Sequence, residues 1–110
     1  MLPPRYRLPT SQIPLVRRQG KRLESEFFRL QYLTKAGVSR FAIVVPATAV
    51  RLAVHRSRTK RLMREVLRSY LGNMTNTVDA VIYAKRSLSE LGQSEVATRI
   101  GSLLQQAHIL

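Results

Sequence analysis

Arg51, Arg56, Arg58, Lys60, Arg61, Arg64 and Arg68 fall within one stretch in which Glu65 is the only acid. Arg5, Arg7, Arg17, Arg18, Lys21 and Arg22 form a second block with no acid at all. Guanidinium groups bind phosphate oxygens through paired N–H donors and stack on bases. A solvated helix face normally interleaves both signs through i, i+4 pairs. Arg56, Lys60, Arg64 and Arg68 instead follow one another at i+4 and repel. A polyanion relieves that repulsion. Over the whole chain, 19 Lys and Arg against 6 Asp and Glu give a net charge of +13. Nucleic acid is the first candidate partner and an anionic membrane surface the second. The basic helix offers only Ser57, Thr59 and Ser69 for reading base edges. A phosphate-dominated contact to structured RNA fits this better than a sequence-reading contact to DNA.

The residues for self-contained catalysis are sparse. Metal-dependent nucleases need clustered carboxylates to hold their ions, and no two of the six acids share a helix face near the basic block. Glu24 and Glu26 read as a solubilising pair at a strand edge. His55 sits among arginines and His108 on a different element, so they do not form the paired acid and base of a metal-free ribonuclease. His55 reads equally as an RNA contact or a solvated helix residue. The chain has no cysteine, which excludes disulfides and thiolate metal sites and fits a cytoplasmic protein. No apolar run approaches the roughly 20 residues of a membrane-spanning helix. Residues 1–22 lack the apolar core of a secretory signal and run straight into the patterned domain.

The elements that hold these side chains are legible in outline. With 110 residues there is room for one domain, 1–110. Residues 1–9 carry three prolines and two arginines and read as an extended basic arm. Residues 10–19 predict a first helix, with Gly20 as its terminator. Lys21 to Glu26 predicts a short edge strand. Phe28, Leu30 and Tyr32 alternate with Arg29 and Gln31, which predicts a half-buried strand. Its other face shows Phe27, Arg29 and Gln31. Phe27 there either stacks on single-stranded bases or simply packs. Thr34 to Ser39, with Gly37, reads as a hairpin-type connection. Phe41 to Val45 is continuously apolar and predicts a central strand buried on both faces, stopped by Pro46. Residues 49–71 predict the arginine-rich helix region, with Leu62, Val66 and Tyr70 as its apolar stripe. Val50, Ala53 and Val54 fall off that stripe, so the segment either breaks before Arg56 or packs its two ends on different surfaces. Asp79 to Ala84 predicts another buried strand, and residues 93–107 a C-terminal helix. The order helix-strand-strand-strand-helix-strand-helix is that of an α+β fold, an α/β sandwich with three helices packed on a small four-stranded sheet.

The segment Arg51 to Glu65 resembles the arginine-rich signature of the protein subunit of bacterial ribonuclease P, roughly A-V-x-R-N-R-x-K-R-x-x-R-E. Ala53, Val54, Arg56, Arg58, Lys60, Arg61, Arg64 and Glu65 match it. Met1-Leu2-Pro3, Arg7-Leu8, Gly20-Lys21-Arg22, Ser39-Arg40-Phe41 and Val81-Ile82-Tyr83-Ala84 extend the likeness over nearly the whole chain. The resemblance implies a mostly antiparallel sheet with a left-handed βαβ crossover. It implies a ribonucleoprotein endonuclease that removes the 5′ leader from precursor transfer RNA and leaves a 5′-phosphate. It puts the catalytic centre and most of the Mg²⁺ on the RNA subunit, and leaves the isolated protein inactive. The implied contacts to the catalytic RNA are Arg51, His55, Arg56, Ser57, Arg58, Lys60, Arg61, Arg64 and Arg68. The implied leader contacts are Ile13, Arg17, Phe27, Arg29 and Gln31. No small-molecule cofactor and no membrane partner are implied. Three departures stand out: Ser57 replaces the signature's Asn, Pro46 to Val50 lacks the usual basic pair, and Ile13 and Arg17 occupy positions where phenylalanines are usual. The alternative of another class is a basic ribosomal or RNA-chaperone protein without processing activity. A membrane-active basic protein fits less well, because the chain also contains two buried strands.

Overall fold

In the computed structural model, residues 2–110 are described, and Met1 of the expected arm lies outside them. Three α-helices, α1 (Ile13–Gln19), α2 (Ala53–Tyr70) and α3 (Gln93–Gln106), pack on one sheet. Its strands are β1 (Lys21–Glu24), β2 (Phe28–Thr34), β3 (Arg40–Val44) and β4 (Val78–Ala84), in spatial order β1-β2-β4-β3. Two pairings are antiparallel and β3 runs parallel to β4, joined through α2 as a βαβ unit.

Strand alternation divides the side chains between two layers. Leu30, Ile82 and Phe41 face α2 and α3 in the main core, with Met63, Leu67, Ile100 and Leu104. Val81 and Tyr83 face the opposite layer, where Val16 of α1 and Leu8 of the arm cover them. α2 buries Thr59, Met63, Val66 and Leu67, close to the stripe its sequence predicts. Tyr70 lies across Gly101 of α3 and donates a hydrogen bond to the Ala97 carbonyl at 2.6 Å. A Cβ at Gly101 would stand 2.4 Å from the Tyr70 hydroxyl, so the glycine permits this helix contact.

Four expectations are corrected. First, β3 is an edge strand, and the inner strands are β2 and β4, of which β4 is buried at every position. The apolar run of β3 is tolerated at an edge because it is covered: Phe41 lies under the helices, Ala42 and Val44 lie in the opposite apolar layer, and the arm runs alongside, with Leu8 N–H donating to the Phe41 carbonyl at 2.9 Å. Second, Thr34 to Ser39 is therefore no hairpin, because β4 inserts between β2 and β3. Gly37, at φ 101°, makes the left-handed bend that starts this crossing. Third, the arm is not wholly extended. Pro4–Tyr6 forms a 3-10 turn, and Leu2 and Leu8 are buried on opposite sides of the β3 edge. Fourth, the arginine-rich helix starts only at Ala53. Val50 is buried in the preceding loop, while Leu52 and Val54 are exposed. Of the two alternatives that the off-stripe apolar residues left open, the structure has the break, ahead of Ala53. The first helix likewise begins as a 3-10 turn, Thr10–Gln12, before α1.

Candidate nucleic-acid interface

α2 carries its cations on the side away from the core. Arg58, Lys60, Arg61 and Arg68 are exposed, Arg56 and Arg64 are half-buried, and Arg51 lies just before the helix. Among the described residues none of these seven forms an ion pair, although eight ion pairs exist elsewhere. Among the described residues Glu24, Glu26, Asp79 and Glu95 pair with cations outside α2, which leaves the helix positive. Ser57 is exposed beside Arg58, and His55 is half-buried on the flank of α2 facing the loop 87–91. Arg56 differs from its neighbours. Its guanidinium donates to the carbonyls of Val50 and Arg51 at 3.0 and 2.7 Å, tying the loop to the helix start.

On the other layer, the pairing register lines up Arg22, Gln31 and Val81 across β1, β2 and β4, and likewise Glu24, Arg29 and Tyr83. With α1 above them, these residues outline a cleft of about 380 Å³ lined by Arg17, Gly20, Arg22, Arg29, Gln31 and Tyr83. Gly20 makes the cleft wall possible. A Cβ there would meet the carbonyl oxygens of Val16 and Tyr32 at 2.5 and 2.6 Å, so only glycine lets α1 turn this closely into β1. Tyr83 donates to Gln31 Oε1 at 2.9 Å, Arg17 Nη2 approaches the Tyr83 hydroxyl at 3.5 Å, and Arg29 lies over the Tyr83 ring at 5.9 Å. The cleft continues past Tyr83 and Lys85 to Pro46, Thr48 and Ala49, so Lys85 supplies a cation beside the uncharged segment.

Of the expected leader contacts, Arg17, Arg29 and Gln31 are brought together here. Gln31 is nearly buried and forms the cleft floor. Ile13 packs into the apolar cluster beneath α1 and does not line the cleft. Phe27 is a correction. It precedes β2 in a bend, is 7% exposed, and packs in the main core with the Arg86 and Arg99 guanidinium groups 5.0 and 4.6 Å from its ring centroid. Alternation holds only within a strand, and the bend turns Phe27 to the helix side. Tyr83, Arg22 and Lys85 are cleft residues that sequence reasoning missed. Alternation marks Tyr83 as sharing a face with Val81, but which strand lies beside it is set by the unseen register.

Glu24 and Glu26 are not merely solubilising. Glu24 contacts Arg29, Arg22 and Lys85 at 3.0, 3.5 and 3.6 Å. The Arg29 hydrogen bond holds its carboxyl below the usual carboxylate range. Glu26 joins Arg86 and Arg99. At the far end of the same sheet face, Asp79 bridges Arg40 at 2.9 Å and Lys35 at 2.8 Å. Burial pushes the Asp79 carboxyl up, but its hydrogen bonds to Arg40 and Lys35 outweigh this and the net shift is downward. Among the described residues no three His, Cys, Asp or Glu side chains converge as a metal site. With Glu24 and Asp79 committed to cations, the carboxylates do not fit a two-ion centre. No described helix is long and apolar enough to cross a membrane.

The chain matches the Ribonuclease P family model over residues 2–108. It is 31% identical over 88 residues to the ribonuclease P protein component of Xylella fastidiosa, covering 80% of this chain and 64% of that protein. It is 34% identical over 67 residues to the component of Vibrio cholerae, covering 61% and 56%. The chain thus spans somewhat under two thirds of the length of these curated relatives. The RNase P protein of Thermotoga maritima superposes with a TM-score of 0.80 at 27% identity, covering 91% of this chain and 96% of that one. The Staphylococcus aureus RNase P protein has the same fold, at TM-score 0.82 and 17% identity, covering 94% and 96%. By the match over almost its whole length, the chain belongs to the ribonuclease P protein family.

Proposed function

We propose that this protein is the RNA-binding subunit of a ribonuclease P ribonucleoprotein that removes the 5′ leader of precursor transfer RNA in the cytoplasm. The observation that carries the reading is the α2 surface, whose cations have no anionic partner among the described residues. It docks on the catalytic RNA. The cleft of Arg17, Arg29, Gln31 and Tyr83 lies in the other layer and receives the leader. Arginine provides charge where aromatic residues are usual, so leader binding is more electrostatic than stacked. The Mg²⁺ ions belong to the RNA subunit, which does the chemistry, because the protein's carboxylates are dispersed and no three of them converge among the described residues.

Replacing Arg17 and Arg29 with alanine tests the cleft. At about 0.1 M salt, loss of two contacts to a single strand weakens binding of a long-leader precursor by about 10- to 30-fold. A precursor with a one-nucleotide leader (too short to reach the cleft) should bind nearly as before. Equal losses on both substrates, measured with the reconstituted ribonucleoprotein, would refute the cleft assignment.

A further inference from the structure

The outer edge of the sheet holds a second groove, which shares no lining residue with the leader cleft. It measures about 250 Å³ and lies between the arm, β3 and α2. Leu2 and Ile43 give it an apolar wall on the helix side, and Arg7, Lys60 and Arg64 give it three cations. It is slightly smaller than the roughly 300–1,000 Å³ of sites that enclose a drug-sized ligand, so it takes one nucleotide and not a folded RNA segment.

Arg64 is the telling residue. Its Nε is buried and has no hydrogen-bond partner. Buried donors of native proteins are satisfied with few exceptions, and leaving a charged one unpaired is unfavourable. Among the described residues neither Lys60 nor Arg64 makes a side-chain hydrogen bond or ion pair. Arg7 spends only its Nε, on the Leu2 carbonyl at 2.7 Å, which fixes the arm over the groove. Three cations without a carboxylate between them call for an oxyanion. The helical period explains why these residues differ from the rest of the basic block. At about 100° per residue, Lys60 and Arg64 lie on the flank of α2 towards the arm, Arg61 and Arg68 lie on its outer face, and Arg58 lies on the opposite flank, facing residues 87–91.

We propose that this groove binds a single unstacked nucleotide of the catalytic RNA. Its phosphate is held by Arg64, Lys60 and Arg7, and its base lies against Leu2 and Ile43. The nucleotide site follows from the groove itself; its assignment to the catalytic RNA rests on the functional reading above and on the position of the groove beside α2, away from the leader cleft. One nucleotide anchored here would fix the register of the basic helix on its RNA, which the exposed arginines alone do not do.

The test uses the full chain, with leucine and isoleucine methyl groups and arginine Nε–H groups observed by NMR. Adenosine 5′-monophosphate should shift the Leu2 and Ile43 methyls together with the Arg64 Nε–H. Adenosine without phosphate should not, at the same concentration. Arg64→Lys keeps the charge but removes the guanidinium fork, and should abolish those methyl shifts while leaving the α3 core methyls in place. It should also weaken assembly with the catalytic RNA by about 10-fold at unchanged net charge. Shifts confined to Arg58 and Arg61, or methyl shifts that survive Arg64→Lys, would overturn the site without touching the functional reading. Nucleotide binding accompanied by unchanged assembly, or by an equal loss of affinity for precursor transfer RNA alone, would overturn the assignment of the occupant to the catalytic RNA.

Discussion

Replacing Arg58, Arg61 and Arg68 together with alanine should lower affinity for the catalytic RNA by about 100- to 500-fold near 0.1 M salt. All three are exposed and have no ion pair to lose, so the fold is not at risk. Arg61 and Arg68 lie on the outer face of α2 and Arg58 on the flank facing residues 87–91, all three outside the groove beneath the arm. Each phosphate contact releases condensed counterions, which gives the logarithmic salt plot about 0.9 units of slope per contact on duplex RNA-like surfaces and about 0.7 on single strands. The variant's plot should therefore be shallower by about 2–3 units. Arg56 is left intact because it also holds the loop to the helix start, and its loss would mix assembly with folding. A slope equal to that of the unmodified protein would mean that α2 is not the docking surface. A loss that depends on leader length would mean that α2 touches the substrate instead.

The second large effect concerns stability. Asp79→Asn should destabilise the fold by about 2–3 kcal/mol at neutral pH. That is less than the roughly 3–5 kcal/mol for breaking a fully enclosed pair, because Arg40 and Lys35 remain 30% and 25% exposed and regain water. Asp79 joins β4 to β3 through Arg40, its register partner, and reaches Lys35 just beyond β2. The carboxyl's folded-state pKa is depressed. Its contribution is therefore complete above the unfolded value of about 3.9, and is lost as the pH falls through the lower folded value. The asparagine variant has no such titration. Urea denaturation across acidic pH should show the two stability curves well separated at pH 7 and converging below about pH 4. Parallel curves over that range would show that Asp79 does not stabilise the fold as an anion.

The helices and strands were legible because their apolar periods are clean: two for β2, and 3.6 for α2 and α3. The strand order was not. Phe41 to Val45 and Asp79 to Ala84 are almost equally apolar, and nothing local reveals that the arm would cover β3 and leave the centre to β4. That choice decides which side chains meet. Arg22, Gln31 and Val81 come into line only through pairings between distant segments, and so do Glu24, Arg29 and Tyr83. Charge composition was enough to find the α2 surface, since a run of unpaired cations needs no tertiary information. It was not enough to separate its members. Arg56, Arg61 and Arg64 look alike in the sequence, yet one ties down a loop, one is free and one has its Nε buried at the edge of a groove. Phe27 shows the opposite limit: a period of two was carried one residue past the start of β2, into a bend that reverses the side chain's direction.

On the function proposed above, the protein works as the partner of a catalytic RNA and leaves the chemistry to it. The most direct measurement is reconstitution with the ribonuclease P RNA of the same genome, scored by cleavage of a precursor transfer RNA at limiting Mg²⁺. Protein and RNA together should release the leader and leave a 5′-phosphate on the mature end, at a rate well above that of the RNA alone, while the protein alone releases nothing. Mg²⁺-dependent cleavage by the protein after all RNA has been digested away, or a rate with the catalytic RNA that the protein does not change, would contradict it.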